Sequence, residues 1–159
     1  MKGLKIMEKR YYGAYGSNLN IRQMKMRCPQ ARIIGTSVLE DNQLLFKGSK
    51  TGYYLTIEPK ENCKVPIAVW EVTQADELSL DRYEGFPVFY YKKEIVLPVK
   101  GIKTGKVHNI KVFLYIMHED SPIGKPSSLY LRTCLEGYRD FGFDNKTLIN
   151  AYLNCGGNI

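Results

Sequence analysis

Apolar and polar positions follow a strand-like rhythm through most of the chain and a helical one only in short stretches and near the C-terminus. Arg10 to Tyr15 is aromatic-rich and strand-like, Gly16-Ser17-Asn18 supplies turn chemistry, and Leu19 to Cys28 forms a short helix that Pro29 stops. Further strands are expected at Arg32–Leu39, Gln43–Phe46, Tyr53–Ile57 and Ile67–Val72, with Gly, Asn, Asp and Pro between them. Thr73 and Asp76 resemble a helix N-cap pair, so Asp76–Glu84 reads as a short helix closed by Gly85. Strands Phe89–Leu97 and Val107–Met117 follow, joined by a Lys- and Gly-rich hairpin, Lys100–Lys106. Two helices close the chain, Ser127–Tyr138 after Pro126 and Asp144–Asn154 after Gly142. Strands arriving in a run without crossover helices favour antiparallel or mixed pairing. The class is α+β, a small curved sheet or barrel with short helices packed outside.

At 159 residues, 44% hydrophobic and 25% charged, the composition is that of one ordinary domain over residues 1–159, neither disordered nor fibrous. The longest apolar stretch, Val112 to Met117, is far short of the roughly 20 residues a membrane helix needs, so no membrane partner is expected. Lys5, Glu8, Lys9 and Arg10 break the N-terminal segment before an apolar region builds up, so no signal peptide is expected and the location read is cytoplasmic. Cys28, Cys63, Cys134 and Cys155 lie far apart, without a CxxC pair or zinc-ligand spacing to histidine, and read as reduced thiols. His108 and His118 sit near no nucleophile signature. The net charge of +7 and twelve tyrosines invite a nucleic-acid reading, but the basic residues form no dense run. A solvated surface accounts for them, and no nucleic-acid partner is expected.

Two segments carry candidate chemistry. The corner Tyr15-Gly16-Ser17-Asn18-Leu19 leaves a strand and opens a helix, presenting free backbone N–H groups. Gly16 permits a tight turn and close ligand approach, and Ser17 or Asn18 can cap the helix, so the loop is either a seat for a carboxylate or phosphate or a plain capped turn. In Leu80-Asp81-Arg82-Tyr83-Glu84-Gly85-Phe86-Pro87, Glu84 ends a helix, where the carbonyl dipoles disfavour a carboxylate. Turned among Leu80, Tyr83, Phe86 and Tyr90 it would have a raised pKa suited to moving protons near neutrality; turned outward it is an exposed residue on a frayed end.

These segments, in this order, with Pro126-Ser127-Ser128-Leu129-Tyr130-Leu131 and Glu136-Gly137-Tyr138 downstream, resemble the γ-glutamylcyclotransferase family. AYGSNL, LDRYEGFP followed by Tyr91 and Lys92, and PSSLYL match its recurring blocks over most of the chain. The resemblance implies a small mixed barrel with its cavity between the first turn and LDRYEGFP. It implies that Glu84 is the catalytic acid and base, that Tyr12, Gly13, Ala14, Tyr15, Gly16, Ser17, Asn18 and Leu19 form the substrate-binding turn, and that Tyr130 contacts substrate. The implied partner is a small γ-glutamyl compound. Its α-amine attacks its own γ-carbonyl, releasing 5-oxoproline and an amino acid or amine, without metal or organic cofactor. YGSNL, where the amine-releasing branch tends to carry YGTL, leans toward γ-glutamyl amino acids or peptides.

A non-catalytic anion-binding protein of the same fold is the alternative. Glu84 argues against it, because a carboxylate binder gains nothing from a second negative charge in its pocket.

Overall fold

The computed structural model describes residues 9–158; most of the N-terminal segment in which no signal peptide is expected lies outside the described residues. Five strands close into a barrel in the order β1-β3-β2-β4-β5: β1 (Arg10–Ala14), β2 (Arg32–Ser49), β3 (Gly52–Val72), β4 (Tyr90–Gly101) and β5 (Val107–Met117). Neighbours pair antiparallel except β1 with β5, which meet in parallel at Tyr12 and Phe113. The barrel is thus mixed and mostly antiparallel, and four α-helices among the described residues lie outside it: α1 (Ile21–Arg27), α2 (Gln74–Glu84), α3 (Ser128–Phe141) and α4 (Lys146–Asn154).

The four short strands expected between Arg32 and Val72 are two long ones. β2 and β3 pair from Arg32 with Glu71 to Ser49 with Gly52, and the register shifts between Glu40 and Asn42. Asp41 (φ 54°) and Asn62 (φ 64°) take left-handed backbone there, a conformation Asp and Asn tolerate better than most side chains, and the Asn62 N–H donates to Asp41 Oδ1 at 3.0 Å. Polar turn residues that read as a break therefore form an irregularity within one ribbon. β2 and β4 close the barrel through Gly35 opposite Gly101, where a Cβ on Gly35 would stand 2.1 Å from the Lys100 carbonyl oxygen.

The core holds Trp70, Phe46, Phe113, Leu55 and Ile67 inside the barrel and its helix interfaces. α2 begins with a reciprocal cap: the Asp76 N–H donates to Thr73 Oγ1 at 3.1 Å and the Thr73 N–H to Asp76 Oδ2 at 3.4 Å. Gly85, left-handed at φ 63°, ends it immediately after Glu84. Ser127 caps α3 and Gly142 terminates it.

Candidate functional site

After β1 the chain makes one turn of 3₁₀ helix at Ser17–Leu19 and then α1. Asn20, not Ser17 or Asn18, caps α1, accepting from the Gln23 N–H at 3.1 Å. Its side chain also donates to the Thr133 carbonyl and to Glu136 at 3.2 and 3.0 Å, which ties the turn to α3. Gly137 makes that contact possible, since a Cβ there would lie 2.6 Å from the Leu19 and Asn20 backbone.

The 3₁₀ turn uses the amides of Leu19 and Asn20, which donate to Gly16 and Ser17 carbonyls at 3.0 Å. The amides of Gly16, Ser17 and Asn18 donate to no other group among the described residues. The turn thus offers up to three main-chain donors rather than a full ring from Tyr15 to Leu19.

These residues open onto a cavity of about 380 Å³, of a size that suits a small molecule. Tyr12, Tyr15, Gly16, Ser17, Asn18, Glu84 and Tyr130 line it, so most of the positions singled out in the sequence meet at one hollow. Gly13, Ala14 and Leu19 do not. Gly13 points to the interior, where Leu114, Val112 and Ile67 would crowd a Cβ, and Ala14 and Leu19 are fully buried in the core. Phe86 and Leu80, expected around Glu84, are also absent from the lining: Leu80 is buried in the core and Phe86 faces Tyr115 edge to face beneath the Lys92 ammonium. Thr51, Tyr54, Leu55, Phe89 and Tyr115 also line it and carry no local signal in the sequence; Phe89 comes from the loop before β4, and the others from the β2–β3 hairpin and barrel strands that only the long-range pairing brings here.

The tyrosine hydroxyls divide into two sets. Tyr12 accepts from Asn18 Nδ2 at 3.1 Å and Tyr130 accepts from the Leu55 N–H at 3.1 Å, so each keeps its own proton to donate. Tyr15 donates to the Tyr115 carbonyl and Tyr90 to the Leu55 carbonyl at 2.8 Å, so each keeps a lone pair to accept. Burial, reinforced by the charge of Glu84, raises the pKa of Tyr12 and Tyr15, and burial does the same for Tyr90 and Tyr130. All four stay neutral.

Glu84 is half-buried at the end of α2 and makes no hydrogen bond or ion pair with another described residue. Burial pushes its pKa up to about 8, partly offset by the positive charge of Arg27. A carboxyl in that range exchanges protons readily near neutrality. Among the described residues no group of three or more His, Cys, Asp or Glu could hold a metal ion.

Residues 12–132 match the family described as gamma-glutamyl cyclotransferase, AIG2-like. The chain belongs to this family. It is similar to the gamma-glutamylcyclotransferase of Homo sapiens, 30% identical over 139 residues, 82% of this chain and 71% of that protein. A solved structure described as a gamma-glutamyl cyclotransferase superposes with TM-score 0.78 at 25% identity, covering 95% of this chain and 90% of the other. An uncharacterized Homo sapiens protein gives TM-score 0.77 at 26% identity, with coverage of 95% and 90%. Among the described residues, no helix is long and apolar enough to cross a membrane.

Proposed function

We propose that the protein cyclises γ-glutamyl compounds, with Glu84 as the proton carrier and the Gly16–Asn18 turn as the carboxylate seat. The observation that carries this reading is an unpaired carboxyl, poised to exchange protons near neutrality, sharing one small cavity with unused main-chain amides. The amides and the Tyr12 and Tyr130 protons suit a substrate carboxylate and a carbonyl oxygen gaining charge. The Tyr15 and Tyr90 lone pairs, with Glu84, suit the α-ammonium.

In the reaction the α-ammonium gives Glu84 a proton, and the resulting amine attacks the γ-carbonyl carbon. A C–N bond forms, closing a five-membered ring. The attacking nitrogen releases a second proton, the departing nitrogen gains protons through Glu84, and the original amide C–N bond breaks. The products are 5-oxoproline and the freed amine. Nucleophile and electrophile belong to one molecule, so the aromatic walls contribute by holding it folded for attack.

Arg82, exposed on the cavity wall, puts a cation beside the entrance. It favours a leaving group that carries a carboxylate over one that carries a second ammonium. A cytoplasmic setting fits the four free thiols, Cys28 and Cys134 among them buried.

The test is incubation with a panel of γ-glutamyl amino acids and γ-glutamyl amines, following 5-oxoproline by chromatography. Release from at least one class supports the reading, and no release from any member overturns it.

A further inference from the structure

Arg27 is the last residue of α1 and lies outside the cavity, yet its guanidinium touches both elements that build the site. It donates through Nη1 to Asn18 Oδ1 on the turn, and it lies over the Tyr83 ring, 3.2 Å from the centroid, beside Glu84 on α2. Tyr83 Oη is in turn 3.3 Å from Ser17 Oγ. One side chain therefore joins α1, the glycine turn and the end of α2.

The hydrogen bond to Asn18 has a chemical consequence further on. Arginine only donates, so the amide end of Asn18 that meets it must be the oxygen. The Asn18 nitrogen is thereby turned to Tyr12, whose oxygen accepts from it at 3.1 Å. With that lone pair used, the Tyr12 proton is the part left to face the cavity. A reversed Asn18 amide would instead take up the Tyr12 proton and leave a lone pair pointing at the substrate carboxylate.

We propose that Arg27 is a positioning residue for the cyclisation: it fixes the Asn18 amide so that Tyr12 donates into the cavity, and it clamps Tyr83 against the helix end that carries Glu84. This rests on the cyclotransferase reading given above. The groups around Glu84 separate the effect of Arg27 from other charges. From β1 and the residue that follows it come the Tyr12 and Tyr15 hydroxyls, from β4 and β5 those of Tyr90 and Tyr115, from α3 that of Tyr130, and from α2 Tyr83 and the exposed Arg82. The tyrosines are neutral. Asp81, one turn back on α2, is held by Lys92 and Tyr115. Arg27 is the cation that favours the Glu84 carboxylate.

The test compares Arg27→Met and Arg27→Lys with the parent by the pH profile of kcat/KM for 5-oxoproline release, and by carbon NMR titration of the labelled Glu84 carboxyl. In Arg27→Met the acidic limb and the Glu84 midpoint move to higher pH, and kcat falls by about 10- to 100-fold, the cost of a small misplacement. Arg27→Lys keeps the charge and holds the midpoint near the parent's, but loses the planar stack and the fixed fork, so kcat still falls. A parental midpoint in Arg27→Met, or parental kcat in either variant, overturns the proposal. Should Arg27→Met not fold, kcat of Arg27→Lys decides. Should the parent release no 5-oxoproline from any substrate, the cyclotransferase reading falls, and the Glu84 titration still judges whether Arg27 acts on that carboxyl.

Discussion

The Lys92 ammonium of β4 lies 2.8 Å from Asp81 Oδ1 and 2.7 Å from Glu77 Oε2. Glu77, Asp81 and Glu84 fall at i, i+4 and i+7 on one face of α2, which the helix turns toward the barrel. Arg10 adds a second cation at Glu77, 2.8 Å away, and Tyr115 donates to Asp81 at 2.6 Å. Two of the three carboxylates are thus matched at the barrel wall, which docks the helix and leaves Glu84 alone at its end.

Replacing Lys92 by Met leaves Asp81 without a cation and Glu77 with Arg10 only. For partly buried groups this should cost about 1–3 kcal/mol of stability at neutral pH, measured by chemical denaturation. Burial opposes ionisation of Glu77, but hydrogen bonds from Arg10 and Lys92 outweigh it and hold its pKa below the usual carboxylate value. That contribution is present above about pH 4.5 and is lost as pH falls through the lower folded value, so the gap between parent and variant should narrow in acid. A gap that does not change with pH contradicts the pairing.

Glu84 works in the opposite sense. Its folded pKa is raised, so the folded protein is most favoured while the group is protonated, and that advantage disappears as pH rises through about 8. Glu84→Gln removes the cost. The variant should match the parent near pH 4 and exceed it by on the order of 1–3 kcal/mol at pH 8.5, the range allowing for solvent reaching the cavity. A variant no more stable than the parent at pH 8.5 would show that the carboxyl is well solvated.

Strand and cap chemistry was open to reading wherever it is local. Thr73 and Asp76 announce α2, Gly85 and Gly142 mark helix ends, and the alternating stretches locate every strand. What short-range signals could not supply was continuity: Asp41 and Asn62 look like breaks and are irregularities inside a ribbon whose register depends on residues far away. The site followed the same division. Glu84 and the Gly16–Asn18 turn stand out because a carboxylate at a helix end and a glycine corner are locally unusual. Tyr54, Leu55 and Tyr115 face the cavity through barrel closure, which no neighbouring residue reports. Gly13, Ala14 and Leu19 belong to the same sequence block as the turn, but the strand and the 3₁₀ turn direct them inward, where their small size or full burial serves the core.

Gly137 supports the turn from behind, and Gly137→Ala tests that support. A Cβ placed 2.6 Å from the Leu19 and Asn20 main chain must push α3 and the turn apart. The variant should lose about 1–3 kcal/mol in thermal or chemical unfolding and show a raised KM, since the amides move with the turn. Unchanged stability and KM would mean that α3 does not brace the site.

Arg82 gives a test of leaving-group preference. Arg82→Met should raise KM for γ-glutamyl amino acids by roughly 10-fold, about 1.4 kcal/mol, and change it little for γ-glutamyl amines. Equal effects on both classes would remove Arg82 from substrate discrimination.

Whether Glu84 carries the protons while the turn holds the substrate is decided by single-turnover release of 5-oxoproline from Glu84→Gln alongside calorimetric binding of the same γ-glutamyl substrate. The variant should bind with Kd within a few-fold of KM for the parent and yield no 5-oxoproline above the uncatalysed rate. Turnover by the bound variant within about tenfold of the parent would contradict that role of Glu84.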